Sequence, residues 1–173
     1  MEIGLLIAIG FALAFALTNG FHDASNAIAT LVATRGATAG QAVVLSAVFN
    51  MAGAVLLGTA VADTIGKIVT VPQTQMVAVV GAGLAGATVW NLLTWWLGIP
   101  SSSSHALVGG IVGAGIAKAG FSAIVWGGLS KTVVAIALSP ITGFFLGILL
   151  VVLVSWLFVR AHPARADSLF RKL

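Results

Sequence analysis

Two short stretches of this sequence carry the residue types that bind ions. The first is Asn19-Gly20-Phe21-His22-Asp23-Ala24-Ser25-Asn26, where Asp23 is the only acidic residue between Glu2 and Asp63. If the segment from Phe21 is helical, Asp23 and Asn26 are three apart and share a face. Both offer side-chain oxygen, the ligand type of a hard cation. Gly20 would let the backbone unwind just before them and add freed carbonyls. The plainer alternative is a helix cap, in which Asp23 satisfies orphan N–H groups and favours the helix dipole.

The second stretch is Pro100-Ser101-Ser102-Ser103-Ser104-His105. Proline ends one helix and serine, a favoured N-cap, opens the next. A helix N-terminus presents free N–H groups and a partial positive charge, so it attracts anions. Several hydroxyls add donors without charge, which suits a tetrahedral oxyanion such as phosphate that must be held and then released. A serine-capped polar loop is the alternative. An anion beside Asp23 would be repelled unless a cation lay between them, so together the stretches describe the minimum for coupled movement of two ions.

These residues must be positioned in an unusual solvent. Of 173 residues, 60% are hydrophobic and 7% charged, against about 25% charged in an average soluble domain. No Asp, Glu, Lys or Arg occurs in the 50 positions between Lys67 and Lys118, nor in the 28 from Thr132 to Val159. About 20 apolar residues of helix cross a bilayer core. The composition excludes a soluble enzyme, a disordered region and a nucleic-acid binder. The net charge of +4 rests on few groups. The apolar runs are continuous, unlike the alternating strands of a transmembrane barrel. The fold class is all-α: a polytopic membrane helical bundle with broken or re-entrant helices, embedded in the lipid bilayer of the cell (plasma or inner) membrane.

Helices are expected over residues 3–17, stopping at Thr18-Asn19-Gly20, over a shorter piece at 21–34, over 40–61, and over 75–98 with Trp90, Trp95 and Trp96 as interface anchors. Residues 63–74 read as an interfacial loop with a solvated Asp63/Lys67 pair. Residues 106–117 are too short to cross, and a piece at 121–138 ends at Ser139-Pro140. Residues 141–159 span. Glu2 is the only early charge, so the start reads as a retained helix rather than a cleaved signal. The basic residues after Arg160 place the tail in the cytoplasm. Glu2 with no basic neighbour suggests an N-terminus outside, giving an odd number of crossings with re-entrant short pieces. Gly109-x-x-x-Gly113 and Gly143-x-x-x-Gly147 fit small-residue helix packing. Asn50 and Gln75 line a polar path or bond a neighbouring helix. The chain has no cysteine, so no disulfide framework exists.

Gly20-Phe21-His22-Asp23-Ala24-Ser25-Asn26 resembles the signature of the inorganic phosphate transporter (PiT) family, of general form G-x-N-D-x-x-N. Pro100–His105 resembles its second signature, a proline, a variable residue, three Ser/Thr and a histidine. The resemblance extends over nearly the whole chain, including Trp90-Asn91 and Ser139-Pro140. It implies that Asp23 and Asn26 serve the coupling cation close to phosphate, and that Ser102, Ser103 and Ser104 bind phosphate. Ser101 falls at the variable position. His22 replaces the general Asn, as in a bacterial subgroup partly regarded as proton-coupled, which leaves Na+ and H+ both open. His22 and His105 are candidates for proton handling, with a buried structural role for His105 as the alternative.

Family members carry two inverted repeats with one copy of both signatures in each. This chain has one copy, so it resembles the N-terminal repeat: residues 1–160 the transmembrane repeat, 161–173 the start of a basic cytoplasmic inter-repeat loop. Its partner is then a second repeat or a second copy of the chain. A basic tail opposes dual topology, which favours a fragment. The expected function is cation-coupled symport of inorganic phosphate, with no cofactor and no enzyme activity. The rivals are a structural or channel-like bundle and an intramembrane serine hydrolase. The hydrolase lacks a separate acid partner, and adjacent Ser and His rarely have nucleophile–base geometry.

Overall fold

The computed structural model describes residues 2–57, 63 and 66–159. The basic tail and the end of the expected 40–61 helix therefore lie outside the described residues. Among the described residues the bounded helices are, in order, α1 (Glu2–Ala33), α2 (Ala39–Leu57), α3 (Gln73–Trp96), α4 (Ser103–Ala119) and α5 (Trp126–Phe158), with a 3-10 turn at Phe121–Ala123 before α5. Helices α1, α2, α3 and α5 are long and apolar enough to cross a membrane.

Two expected breaks are absent. Helix α1 runs without interruption through Thr18-Asn19-Gly20, so Gly20 does not unwind the backbone. Where water is excluded, every backbone polar group must be paired within the protein, and a continuous helix does this best. The Thr18 hydroxyl, buried, donates back to the Phe15 carbonyl at 2.9 Å and needs no turn. Helix α5 likewise continues through Pro140, where two pieces were expected. Proline removes one ladder bond, a loss that membrane helices tolerate. Nearby, Thr142 Oγ1 bonds the Leu138 carbonyl at 2.9 Å.

Helices α3 and α4 form a hairpin whose open ends meet. Thr70 N–H donates to the Ala123 carbonyl and Val125 N–H to the Ile68 carbonyl, each at 2.8 Å. Around this closure lies the best-buried cluster of the chain: Ile68, Val69, Val71, Val79, Ile111, Ala123 and Ile124. The expected solvated loop thus contributes its apolar run to the core, while Lys67 remains exposed. The hairpin tip lies beside α1, where Phe21 meets Trp95 edge-on at 5.4 Å between centroids. Helix α1 continues beyond Phe21 to Ala33, about 18 Å at 1.5 Å per residue. The tip therefore ends part-way along α1. The long helix expected at 75–98 is α3, long and apolar enough to cross a membrane, and the chain reverses after it at the serine stretch. Trp90 and Trp95 brace that tip, with Trp90 Nε1 donating to Ser101 Oγ at 3.0 Å.

The hairpin closes because α3 and α4 approach at glycine. A Cβ on Gly83 would stand 2.9 Å from Ile111 Cα, and one on Gly110 would collide with the Gly83 carbonyl oxygen. By contrast, Gly109, Gly113, Gly143 and Gly147 would meet nothing within 4 Å. Among the described residues the expected small-residue motifs make no close approach, and the neighbouring Gly110 carries the contact. Asn50 bonds within its own helix, to the Ser46 carbonyl at 2.9 Å. Replacing Gly110 by Val should destabilise the hairpin by about 1–3 kcal/mol through overpacking, while Gly109→Val should cost less. Thermal unfolding of the two variants in detergent checks this ordering.

Candidate functional site

The hairpin tip delivers the serine stretch to the acidic stretch. Ser103 is 1% exposed. Its hydroxyl lies 2.6 Å from Asp23 Oδ2 and also contacts Asn19 Oδ1, across 80 and 84 positions of sequence. Asn19 and Asp23 are one turn apart on α1, so both face α4. The site exists because α1 stays helical through Asn19 and because α3 reverses at Gly98 (φ 65°) and Pro100.

The four serines divide their work. Ser101 accepts from Trp90 Nε1. Ser102 is the N-cap of α4, and its oxygen accepts the His105 backbone N–H at 3.4 Å. Ser103 turns inward to Asp23 and Asn19. Ser104 is exposed and, with Ser102 and His105, lines an open cavity of about 1020 Å³ between α1, α4 and α5. First-turn N–H groups of α4 without a helical partner add donors at the same end.

His22 bridges α1 to α3. Its Nε2 lies 3.5 Å from Thr94 Oγ1, and Nδ1 lies 3.5 Å from Asp23 Oδ1. The Thr94 hydroxyl has a closer acceptor in the Trp90 carbonyl at 2.9 Å. Nδ1 has no hydrogen-bond partner, and its Asp23 neighbour is at ion-pair rather than hydrogen-bond range. The His22 side chain is 9% exposed and that of Asp23 42%, so the carboxylate is half open to a ligand or a further surface.

Other expected site residues fall elsewhere. Asn26 is exposed and makes no hydrogen bond among the described residues, and the contacts of Ser103 go to Asn19, one turn on the other side of Asp23. The reason is the crossing of α4 over α1, which meets the N-terminal side of Asp23. His105 is exposed and engages Ser102 through its backbone alone, so no Ser–His relay of the hydrolase type exists among the described residues. Lys131 on α5 lines the same cavity as Ser104 and was not singled out from sequence. Its signal was available: it is the one Lys, Arg, Asp or Glu between Lys118 and Arg160, and a charge inside an apolar span marks function by default.

Residues 19–171 match the model of the phosphate transporter family. A probable low-affinity inorganic phosphate transporter of Rhizobium meliloti (strain 1021) is 53% identical over 165 residues, covering 95% of this chain and 49% of the relative. A protein of the same description from Bacillus subtilis (strain 168) is 44% identical, covering 100% of this chain and 53% of its own length. A solved structure of the sodium-dependent phosphate transporter superposes with a TM-score of 0.82 at 29% identity, covering 89% of this chain and 40% of that one. The chain spans about half the length of these relatives, which are transporters and not enzymes. With a matched family model over most of its length and a multi-pass helical architecture, this chain belongs to the phosphate transporter family.

Proposed function

We propose that this chain forms one half of a cation-coupled carrier of inorganic phosphate in the cell membrane, residues 1–160 supplying one repeat and 161–173 the start of a connecting segment. The observation that carries the reading is the Ser103–Asp23 hydrogen bond at 2.6 Å, which joins a would-be anion motif to a would-be cation motif in the fold. The names of the relatives support phosphate as cargo, and the name of the solved neighbour supports a coupling cation. The half-open Asp23 supports a second repeat or second copy closing the site from that side.

In this reading a hard cation rests on the Asp23 carboxylate and neighbouring neutral oxygens. Phosphate rests against the Ser104 and Ser102 hydroxyls and the N-terminal N–H groups of α4. The cation offsets the repulsion between Asp23 and the anion, so each ion raises the affinity of the other. That reciprocity is the thermodynamic content of coupling. Lys131 adds positive charge to the same cavity, where a dianion would otherwise be desolvated without a counter-charge. The half-helix N-terminus and the discontinuous helix pair are the devices by which transporters hold ions at mid-membrane.

Uptake of labelled phosphate by the full-length protein carrying this segment, reconstituted in proteoliposomes, tests the reading. Asp23→Asn should abolish cation-dependent uptake; full coupled uptake by this variant would overturn the assignment. Lys131→Gln should raise the phosphate KM about tenfold, the scale of one charge-assisted hydrogen bond of about 1.5–3 kcal/mol, with less effect on the cation half-saturation. Ser104→Ala should raise the phosphate KM more than Ser101→Ala, because Ser101 is engaged with Trp90. Equal effects would remove Ser104 from the anion site.

A further inference from the structure

One stripe of α5 faces the cavity of the serine turn. Lys131, Thr132, Ala135, Ile136, Ser139 and Pro140 recur at helical spacing and line that cavity together with Ser102 and Ser104. The register agrees. Val69 pairs with Ile124 and packs against Gly115, so Ile124 and Gly115 lie level. Helix α5 then runs back toward the serine turn. The twelve positions from Ile124 to Ile136 match the twelve from Gly115 to Ser103, which brings Ile136 level with the start of α4.

A proline sits in this stripe. Pro140 has no N–H to give, so the carbonyl four residues back, that of Ile136, loses its ladder donor. The proline ring also presses on that carbonyl and bends it away from the helix axis. Neighbouring hydroxyls do not replace the donor, because Thr132 bonds the Gly128 carbonyl and Thr142 the Leu138 carbonyl. At membrane depth an unpaired backbone group is tolerated where it lines a polar cavity. Here it is a bare acceptor among donors: the Lys131 ammonium, the serine hydroxyls and the first N–H groups of α4.

Donors alone hold any tetrahedral oxyanion, and sulfate has the shape of phosphate. The two differ in one respect. At neutral pH phosphate keeps a proton on oxygen, and sulfate has none. A hydroxyl rotates to offer either its proton or a lone pair, so it serves both ions. A carbonyl offers lone pairs only. It accepts the proton of a P–OH group, and against a sulfate oxygen it stands lone pair to lone pair.

We propose that the Ile136 carbonyl, freed by Pro140, is the acceptor that selects protonated oxyanions, phosphate and arsenate, over sulfate. The inference rests on the reading of this cavity as the phosphate site. Rejection comes from the acceptor left unpaired beside the wrong ion, as in any polar site facing an analogue that lacks one hydrogen. Proline creates the acceptor, because every other residue type at position 140 returns an N–H to the ladder.

The test is equilibrium binding of labelled phosphate and labelled sulfate to the purified full-length protein, with unlabelled phosphate, arsenate and sulfate as competitors. Binding is read rather than uptake, so any part of the kink in the transport cycle does not enter. Pro140→Ala restores the donor and keeps Lys131 and the serines. Its preference for phosphate over sulfate should fall about tenfold or more, the scale of one hydrogen bond to a charged group. Arsenate should track phosphate in every form. Pro140→Gly returns the same N–H to a more flexible helix and should behave alike. Ser139→Ala, which leaves the carbonyl free, should keep the preference of the parent. An unchanged preference in both Pro140 variants overturns the inference, as does equal weakening of the two anions or a parent that takes sulfate as readily as phosphate. A loss in the Ala variant that the Gly variant does not share overturns it too and assigns the effect to helix shape. In all of these cases phosphate binds the parent and the reading of the cargo stands. A parent that binds no phosphate sinks that reading and the inference with it.

Discussion

A hydroxyl at the first residue of α4 reaches a carboxylate on α1, and the architecture around this bond is arranged to let the two meet. A charged oxygen and an exposed helix end are each costly in a bilayer. Brought together, they offset part of that cost. Ser103 gives its proton to the Asp23/Asn19 pair, and Ser102 caps the helix start. The α3–α4 hairpin exists to carry that helix start to a depth where Asp23 can use it, and α1 must stay helical through Gly20 to present Asn19 and Asp23 on one face.

The hairpin is held from both of its ends. At the open end the apolar residues Ile68, Val69 and Val71 pack with Ala123 and Ile124, and two backbone hydrogen bonds close the gap. Along its length Gly83 and Gly110 let the helices approach at backbone distance. At the tip Trp90 bonds Ser101 and Trp95 meets Phe21. Helix α5 stands outside this assembly with no buried residue, yet it contributes Lys131 to the cavity over the serine turn. Within lipid no hydrophobic force drives helices together, so an apolar helix can remain loosely attached until polar or close-packed contacts fix it.

Adjacent hydroxyls in one run need not share a task. Along the serine stretch the side chains turn through successive directions as the extended loop becomes helix. One faces the tryptophan, one the helix end, one the carboxylate and one the cavity. A single short motif thereby serves bracing, capping, contact with the carboxylate and the lining of the cavity.

The membrane class and the pairing of Asp23 with the serine run were legible in the sequence, because the scarcity of charge leaves few residues to do ionic chemistry. The short reach of residues 106–117 was legible from length alone. The breaks expected at Thr18–Gly20 and at Ser139-Pro140 were misread, because turn chemistry learned in water loses to the need to pair every backbone group in an apolar setting. The burial of Ile68–Val71 and the use of Gly110 rather than Gly109 depend on which helix faces meet. The same is true of Asn19 in place of Asn26, the burial of Asn91 and the approach of Lys131. Composition and spacing determine which polar residues the chain has to work with; the crossing of α4 over α1 and its register against α3 determine which of them meet, since a side chain's partners are set by neighbours far away along the chain.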